Sequence, residues 1–369
     1  MSRNIEIEII KKLNESKKDE NFIISPTGIE IVLSLCLNGT EGITQDEILN
    51  FLNYKNIKEA NKVSKMIIDQ FNINKDILCA ANAILTKERA KEEFISKGLE
   101  YDAKVEELKN FHQVNTWAKN KTKNNIIKII DSISPDVLMI LLNAIYFEAY
   151  WTKQFDPNEN AQKEFYNLDN ESDQVITTMM FLNEELLNYY ENDNYQAVKL
   201  NYKSVNKSTH AIIVLPKNIP IDLLINNFNN ETYEELIEGL KKQERKVNVF
   251  LPKFEVECKL DLSTILFDLG IRIAFTNNAN FKGISDKQPI HIGKVVQQNY
   301  INVNEKGTQA ATITELEIIL ESFKEGNPKA INFIANKPFL FLLRNENFPK
   351  GHDILFFTKF CKIEEFDDY

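Results

Sequence analysis

Between Val137 and Phe147 the chain runs through eleven residues of which one, Asn143, is polar. Strand side chains alternate faces with a period of two, so a run apolar in both phases reads as a strand buried on both sides. Such a strand needs cover above and below, which demands layers around a large sheet. The first part of the chain reads mainly as helices. Thr44 is placed to cap a helix through Asp46, Glu47, Ile48, Leu49 and Phe51. Asn115 to Ile130 reads as a surface helix with an apolar last turn. The later part reads mainly as strands, at Ala211–Pro216, Val247–Pro252, Ile290–Val303 and Phe339–Leu343, interrupted by a helix near Asp261–Leu269. Helices and large sheets without βαβ alternation predict an α+β fold. With 11 Gly and 10 Pro in 369 residues and none clustered as a linker, one continuous domain over 1–369 is expected.

Charge and motifs narrow the function. A formal charge of −10 argues against non-specific nucleic-acid binding, and no stretch approaches the roughly 20 apolar residues of a membrane span. Cys36, Cys79, Cys258 and Cys361 are scattered and read as reduced thiols, neither a disulfide framework nor a zinc site. The N-terminal segment has no apolar core of signal-peptide length, so the cytoplasm is the expected location, with leaderless or vesicular secretion as the alternative. Six Asn-x-Ser/Thr sequons are read as chance in an Asn-rich chain. No Gly-x-Ser-x-Gly elbow, His-Glu-x-x-His or phosphate-cradling Gly loop occurs. His112, His210, His291 and His352 stand far apart. No catalytic residue, metal site or cofactor is predicted.

The segment Thr308 to Glu321 is sorted in a way an ordinary loop does not require. Its even positions are Thr308, Ala310, Thr312, Thr314, Leu316, Ile318 and Leu320, all uncharged and growing from small to large. The odd positions carry every charge, at Glu315, Glu317 and Glu321. A segment that becomes a sheet strand, one face on a core and one toward water, needs that sorting. Gly307 offers a hinge, and Thr308, Ala310 and Ala311 are small enough to slip between packed strands.

Several motifs occur in one order: Asn21-Phe-Ile-Ile-Ser-Pro, Gly39-Thr-Glu-Gly-Ile-Thr-Gln-Asp-Glu-Ile-Leu, Leu142-Asn-Ala-Ile-Tyr-Phe-Glu-Ala-Tyr-Trp, Phe250-Leu-Pro-Lys-Phe, Leu269-Gly-Ile, Asn304-Glu-Lys-Gly-Thr-Gln-Ala-Ala and Asn336-Lys-Pro-Phe-Leu-Phe. Together they resemble the serpin family from residue 21 to about 361. The resemblance implies a large central sheet with two further sheets, eight or nine helices and an exposed reactive-centre loop over about 305–327. It implies that Ser25, Asn143 and Gln297 form a shutter beneath the point where the sheet opens. Trp151 stands at the breach where insertion begins, and Lys253 pairs with Glu305 at the base of the loop. The hinge comprises Glu305, Gly307, Thr308, Ala310, Ala311 and Thr312. Gln297 stands where His is common, Gly28 where a second Ser is frequent, and Ala149 and Thr358 where Gly is usual. The stretch between Asn53 and Asp76 looks short, which implies a reduced form of the helix that binds polyanions in some relatives. Lys55, Lys58, Lys62 and Lys65 would share a face there, read as a solvated one.

The implied activity is inhibition of a serine endopeptidase by a suicide-substrate mechanism from a metastable fold, by a monomer. Counting the usual family distance from Glu305 puts the cut at Glu321-Ser322, which implies an acid-specific target. Counting back from Asn327-Pro favours Lys324-Glu325 and a trypsin-like target. Phe323-Lys324 lies between and implies a chymotrypsin-like one. The alternatives are a non-inhibitory carrier, chaperone or storage serpin, and a serpin that inhibits a cysteine protease.

Overall fold

A computed structural model describes residues 1–363 apart from 123, 125, 135–136, 205–206, 287–289 and 309–329. Among the described residues are the helices α1 (Arg3–Ser16), α2 (Pro26–Leu37), α3 (Ile43–Leu52), α4 (Ile57–Ile73), α5 (Glu92–Glu100), α6 (Phe111–Lys121), α7 (Ile221–Asn227), α8 (Asn230–Lys242) and α9 (Ser263–Asp268). The strands of the first sheet are β2 (Leu78–Thr86), β3 (Ala103–Glu107), β4 (Met139–Phe147), β5 (Ala149–Tyr150), β11 (Phe254–Asp261), β12 (Lys294–Val303) and β13 (Gly307–Thr308). Those of the second are β1 (Phe22–Ile24), β6 (Ala161–Tyr166), β7 (Gln174–Glu191), β8 (Tyr195–Asn201), β9 (Thr209–Pro216), β10 (Glu244–Pro252), β14 (Ile331–Ile334), β15 (Phe339–Asn345) and β16 (Ile354–Phe360).

The first sheet is seven-stranded and runs β3-β2-β4-β12, with β11 on the far side of β12 and with β13 and β5 at one end. The second runs β1-β16-β15-β9-β8-β7-β10-β14, and β6 adds to β7. The long strand β7 joins its two halves, so the two further sheets of the expected fold form one path here. Every residue of β4 is buried, as its two-phase apolar run requires. Helix α2 is buried along its whole length and packs against β4, β2 and β16, which puts it between the two sheets. A helix apolar all round has no other stable place. Ser25 caps it, accepting from the Gly28 N–H at 3.3 Å, and Pro26 occupies the first turn, where a missing N–H costs nothing.

Two expected helix boundaries are corrected. Thr44 is not the cap of α3. Gly42, at φ +58°, turns the chain into that helix, and Thr44 is buried with its Oγ1 accepting from the Asn280 N–H at 2.9 Å. The helix expected over Asn115–Ile130 starts earlier and stops sooner. Asn110 caps α6 through the Gln113 N–H, and the helix ends at Lys121. Beyond it, Ile126, Ile129 and Ile130 pack on the sheet beside Trp117. The Asn115 side chain accepts from the Ile129 and Ile130 N–H groups, at 2.8 and 3.1 Å. The stretch expected to be reduced carries the 17-residue α4; Lys58, Lys62 and Lys65 are exposed on it and Lys55 precedes its cap, Asn56.

Charge is buried under α1. Glu6 and Glu30 are fully buried, and with His352 each brings one potential ligand atom within 4.8 Å of the others. They are partnered internally: His352 Nδ1 lies 2.6 Å from Glu30 Oε2, and Arg3 bonds both Glu6 and Asp353. This is a network of ion pairs among protein groups, in which Glu6 Oε2 is held by Arg3 and Glu30 Oε2 by His352. Burial pushes the Glu6 carboxyl from its ordinary 4.5 up to about 8, against the pull of Arg3. The folded state therefore holds a proton that the unfolded chain has lost across that window, and stability falls as pH rises through it. Glu6→Gln removes the titration. Relative to the parent, the variant is expected to gain on the order of 1 kcal/mol of stability per pH unit between about 5 and 8, read from urea midpoints at several pH values. Parallel pH profiles for the two proteins would contradict the assignment.

Candidate functional site

The parallel pair β4–β12 is closed, with Asn143 of β4 directly opposite Gln297 of β12. A buried polar cluster sits at that point. Gln297 Nε2 donates to Asn143 Oδ1 at 2.7 Å and to the Ser25 carbonyl at 2.9 Å. Its Oε1 accepts from the Ser25 N–H at 2.8 Å and from Asn299 Nδ2 at 2.8 Å. Asn143 Nδ2 passes the chain on to Asn82 Oδ1 of β2, at 2.8 Å. One amide thus ties β12 both to β4 and to the cap of α2. Each bond is worth about 0.5–1.5 kcal/mol net, and a partner left unsatisfied in this dry site costs about 1–3 kcal/mol. The cluster can hold β4 and β12 together and can let them part only by breaking the Gln297–Asn143 bond.

Gly28 makes the cluster fit. A Cβ there would lie 2.2 Å from Asn143 Oδ1, which no side chain can tolerate. Gly28→Ala gains about 1 kcal/mol of helix propensity but forces Asn143 off its partners. The variant is expected to lose about 1–2 kcal/mol net in a denaturant titration. An unchanged or raised midpoint would contradict this geometry.

The upper end of the β4–β12 pair is built from aromatic and charged groups. Trp151 is buried; its Nε1 donates to the Asn304 carbonyl at 3.0 Å, and its N–H donates to the Lys306 carbonyl at 2.8 Å. Its indole stacks on Tyr202, with centroids 4.2 Å apart and planes 17° from parallel. Lys253 Nζ lies 3.1 Å from Glu305 Oε1, and the same carboxylate accepts from Asn160 Nδ2. Glu305 is buried, so this pair is less screened than a surface one.

Between these groups the chain makes one more short pairing at the end of the sheet. Gly307 and Thr308 form β13, paired antiparallel to Tyr150 and Ala149 of β5, while Thr308 also pairs with Val303 of β12. Thr308 is fully buried, and its Oγ1 lies 2.6 Å from the Tyr202 hydroxyl. A Cβ at Gly307 would sit 2.0 Å from the Ala149 carbonyl oxygen, so glycine is required there by close approach of two backbones. Ala149, at a position where glycine is usual in the family, accommodates this contact because the neighbouring chain supplies the glycine. Ala310, Ala311, Thr312, Glu321, Ser322, Phe323, Lys324 and Glu325 lie outside the described residues.

The structure therefore gathers Ser25, Asn143 and Gln297 at one point along β4–β12, and Trp151, Lys253, Glu305, Gly307 and Thr308 at its end. Sequence reading missed Asn82, Asn299, Asn160 and Tyr202. Asn299 carried a signal, since it stands two residues from Gln297 and so on the same face of the strand. Cys36, Cys258 and Cys361 are buried thiols, and the half-buried Cys79 donates its S–H to the Lys75 carbonyl at 3.4 Å.

The model of the serpin (serine protease inhibitor) family matches residues 2–363. An uncharacterised serpin-like protein of Methanosarcina acetivorans is 32% identical over 345 residues, 89% of this chain and 79% of that protein. Human neuroserpin is 27% identical over 368 residues, 93% of this chain and 87% of its own. The solved structure of native protease nexin-1 with heparin superposes with a TM-score of 0.82 at 25% identity, covering 98% of both chains. A closed parallel strand pair, Gly307 and Thr308 paired at its end and a match over nearly the whole length agree: the chain belongs to the serpin family, which generally inhibits proteases.

Proposed function

We propose that this serpin inhibits a serine endopeptidase as a suicide substrate, cleaved within residues 321–325 and trapping the enzyme by inserting 308–320 between β4 and β12. The observation that carries the reading is Thr308: it already occupies the end of the slot, paired to both walls, while the rest of the slot is closed. The protease serine attacks the scissile carbonyl, and the peptide bond breaks. The residue on the N-terminal side becomes an ester on the serine, and the C-terminal side leaves as an amine. Water would next hydrolyse that ester and free an active enzyme. Insertion competes with this step. The freed strand zips into the sheet from Thr308 onward and carries the linked protease from the loop end toward the opposite end of the sheet, which distorts its catalytic geometry before water attacks.

The uncharged even phase of 308–320, with no proline, favours trapping over a carrier or storage role, since a bulky or charged hinge would block insertion. The test is incubation with trypsin, chymotrypsin and a glutamate-specific endopeptidase, followed by denaturing electrophoresis and the mass of the released C-terminal peptide. One denaturant-resistant complex is expected, and the peptide mass assigns the cut after Glu321, Phe323 or Lys324. Cleavage by all three with no complex would overturn serine-protease trapping of these classes.

A further inference from the structure

Tyr202 has no counterpart among the residues picked out from the sequence, yet it makes the one side-chain bond from the slot's wall to the inserting strand among the described residues. Its backbone is stitched to the β4 side. Residues Trp151 and Tyr202 form an antiparallel bridge; the Lys203 N–H donates to the Tyr150 carbonyl at 2.8 Å, and the Thr152 N–H to that of Asn201 at 2.7 Å. Its ring is clamped between Trp151, stacked at 4.2 Å, and Phe147, edge-on at 4.9 Å. A phenol held on both faces points its hydroxyl at a fixed place, and that place is Thr308 Oγ1.

We infer that Tyr202 is a positioning residue that seeds insertion and sets its register. Strand addition is hard to start and easy to continue, because the first contact must close a flexible loop before further ladder bonds reward it. A pre-seated Thr308 removes that first cost. It also selects the phase. A slip of one residue would turn Glu315 and Glu317 toward the core and Leu316 and Ile318 toward water. The Tyr202–Thr308 bond holds Thr308, and hence the even positions, on the inner face.

The inference rests on the trapping reading above and deepens it. The test measures the stoichiometry of inhibition and the rate of loop cleavage for wild type, Tyr202→Phe, Thr308→Val and the double variant, against the protease that wild type traps. Insertion is timed separately in loop-nicked protein by tryptophan emission. Losing the bond is expected to slow insertion about two- to tenfold, so the molecules cleaved in excess of one per enzyme rise by the same factor. Each single variant and the double variant should agree, since all break one bond, while the cleavage rate stays unchanged. Equal stoichiometry and equal insertion rates in all four proteins would overturn the inference while leaving trapping intact. A faster cleavage without altered partition would make the bond a mere restraint on the intact loop and equally overturn it. A wild-type protein that neither traps a protease nor changes emission when nicked would overturn both readings. Matching thermal midpoints for wild type and Tyr202→Phe separate these outcomes from misfolding.

Discussion

Thr308→Arg is expected to turn the proposed trap into a mere substrate. Thr308 is fully buried between Ala149 and Val303, with its hydroxyl on Tyr202. A guanidinium placed there must either give up its water inside the sheet or hold the chain out of the slot. Leaving a charge unpaired in a buried site costs roughly 3–5 kcal/mol. Charged to the insertion step, that slows it by about two to four orders of magnitude relative to hydrolysis of the ester. The cut itself lies far along the loop and is unaffected. The expected result is complete cleavage with no denaturant-resistant complex, and many variant molecules consumed per enzyme molecule. A stoichiometry that stays near that of wild type would show that Thr308 does not have to seat for trapping to occur.

Cleavage of the loop by itself is expected, on the proposed insertion, to raise the thermal midpoint by about 15 °C. About a dozen new ladder residues contribute on the order of 10 kcal/mol at a conservative net value per bond. Burying part of Leu316, Ile318 and Leu320 adds a few kcal/mol more, at roughly 1.5–3 kcal/mol for each side chain fully buried. Unfolding entropy of about 2.1 cal/mol/K per residue gives roughly 0.8 kcal/mol/K for a chain of 369 residues, which converts the gain into the stated shift. On the proposed reading, the uncleaved fold is metastable because an intact loop tethered at both ends does not insert. Melting the protein before and after nicking within 321–325 checks this. A midpoint that stays level or falls means that 309–320 does not join the sheet.

How far the sequence revealed this depends on the kind of interaction. The β4 strand was legible because burial on both faces leaves an uninterrupted apolar run, and Asn143 stood out as its exception. The alternation of 308–321 is a local pattern read from sequence, and 309–321 lie outside the described residues. Helix boundaries were not legible. The isoleucines at 126, 129 and 130 look like the end of a helical face, but the Asn115 side chain, one helical turn into α6, accepts from the Ile129 and Ile130 N–H groups, and Thr122 Oγ1 accepts from that of Ile126, which holds them in another conformation. Thr44 resembles a cap by type, but Gly42 turns the chain and a tertiary bond to Asn280 claims the Thr44 hydroxyl. The opening point is legible only through family resemblance. Gln297 and Asn143 stand 154 residues apart, and nothing local says that their strands are paired in register. Tyr202 was invisible for the same reason, since its partners lie on β4, on the segment after β5 and on the loop base.

The crystal structure of the loop-cleaved protein tests the central claim most directly. Insertion predicts residues 308–320 as a new strand between β4 and β12, with Asn143 and Gln297 separated, the inner face lined by the even positions and Thr308 still on Tyr202. A cleaved protein in which β4 and β12 remain paired, with the Gln297–Asn143 bond intact and the cut loop lying outside the sheet, would contradict it.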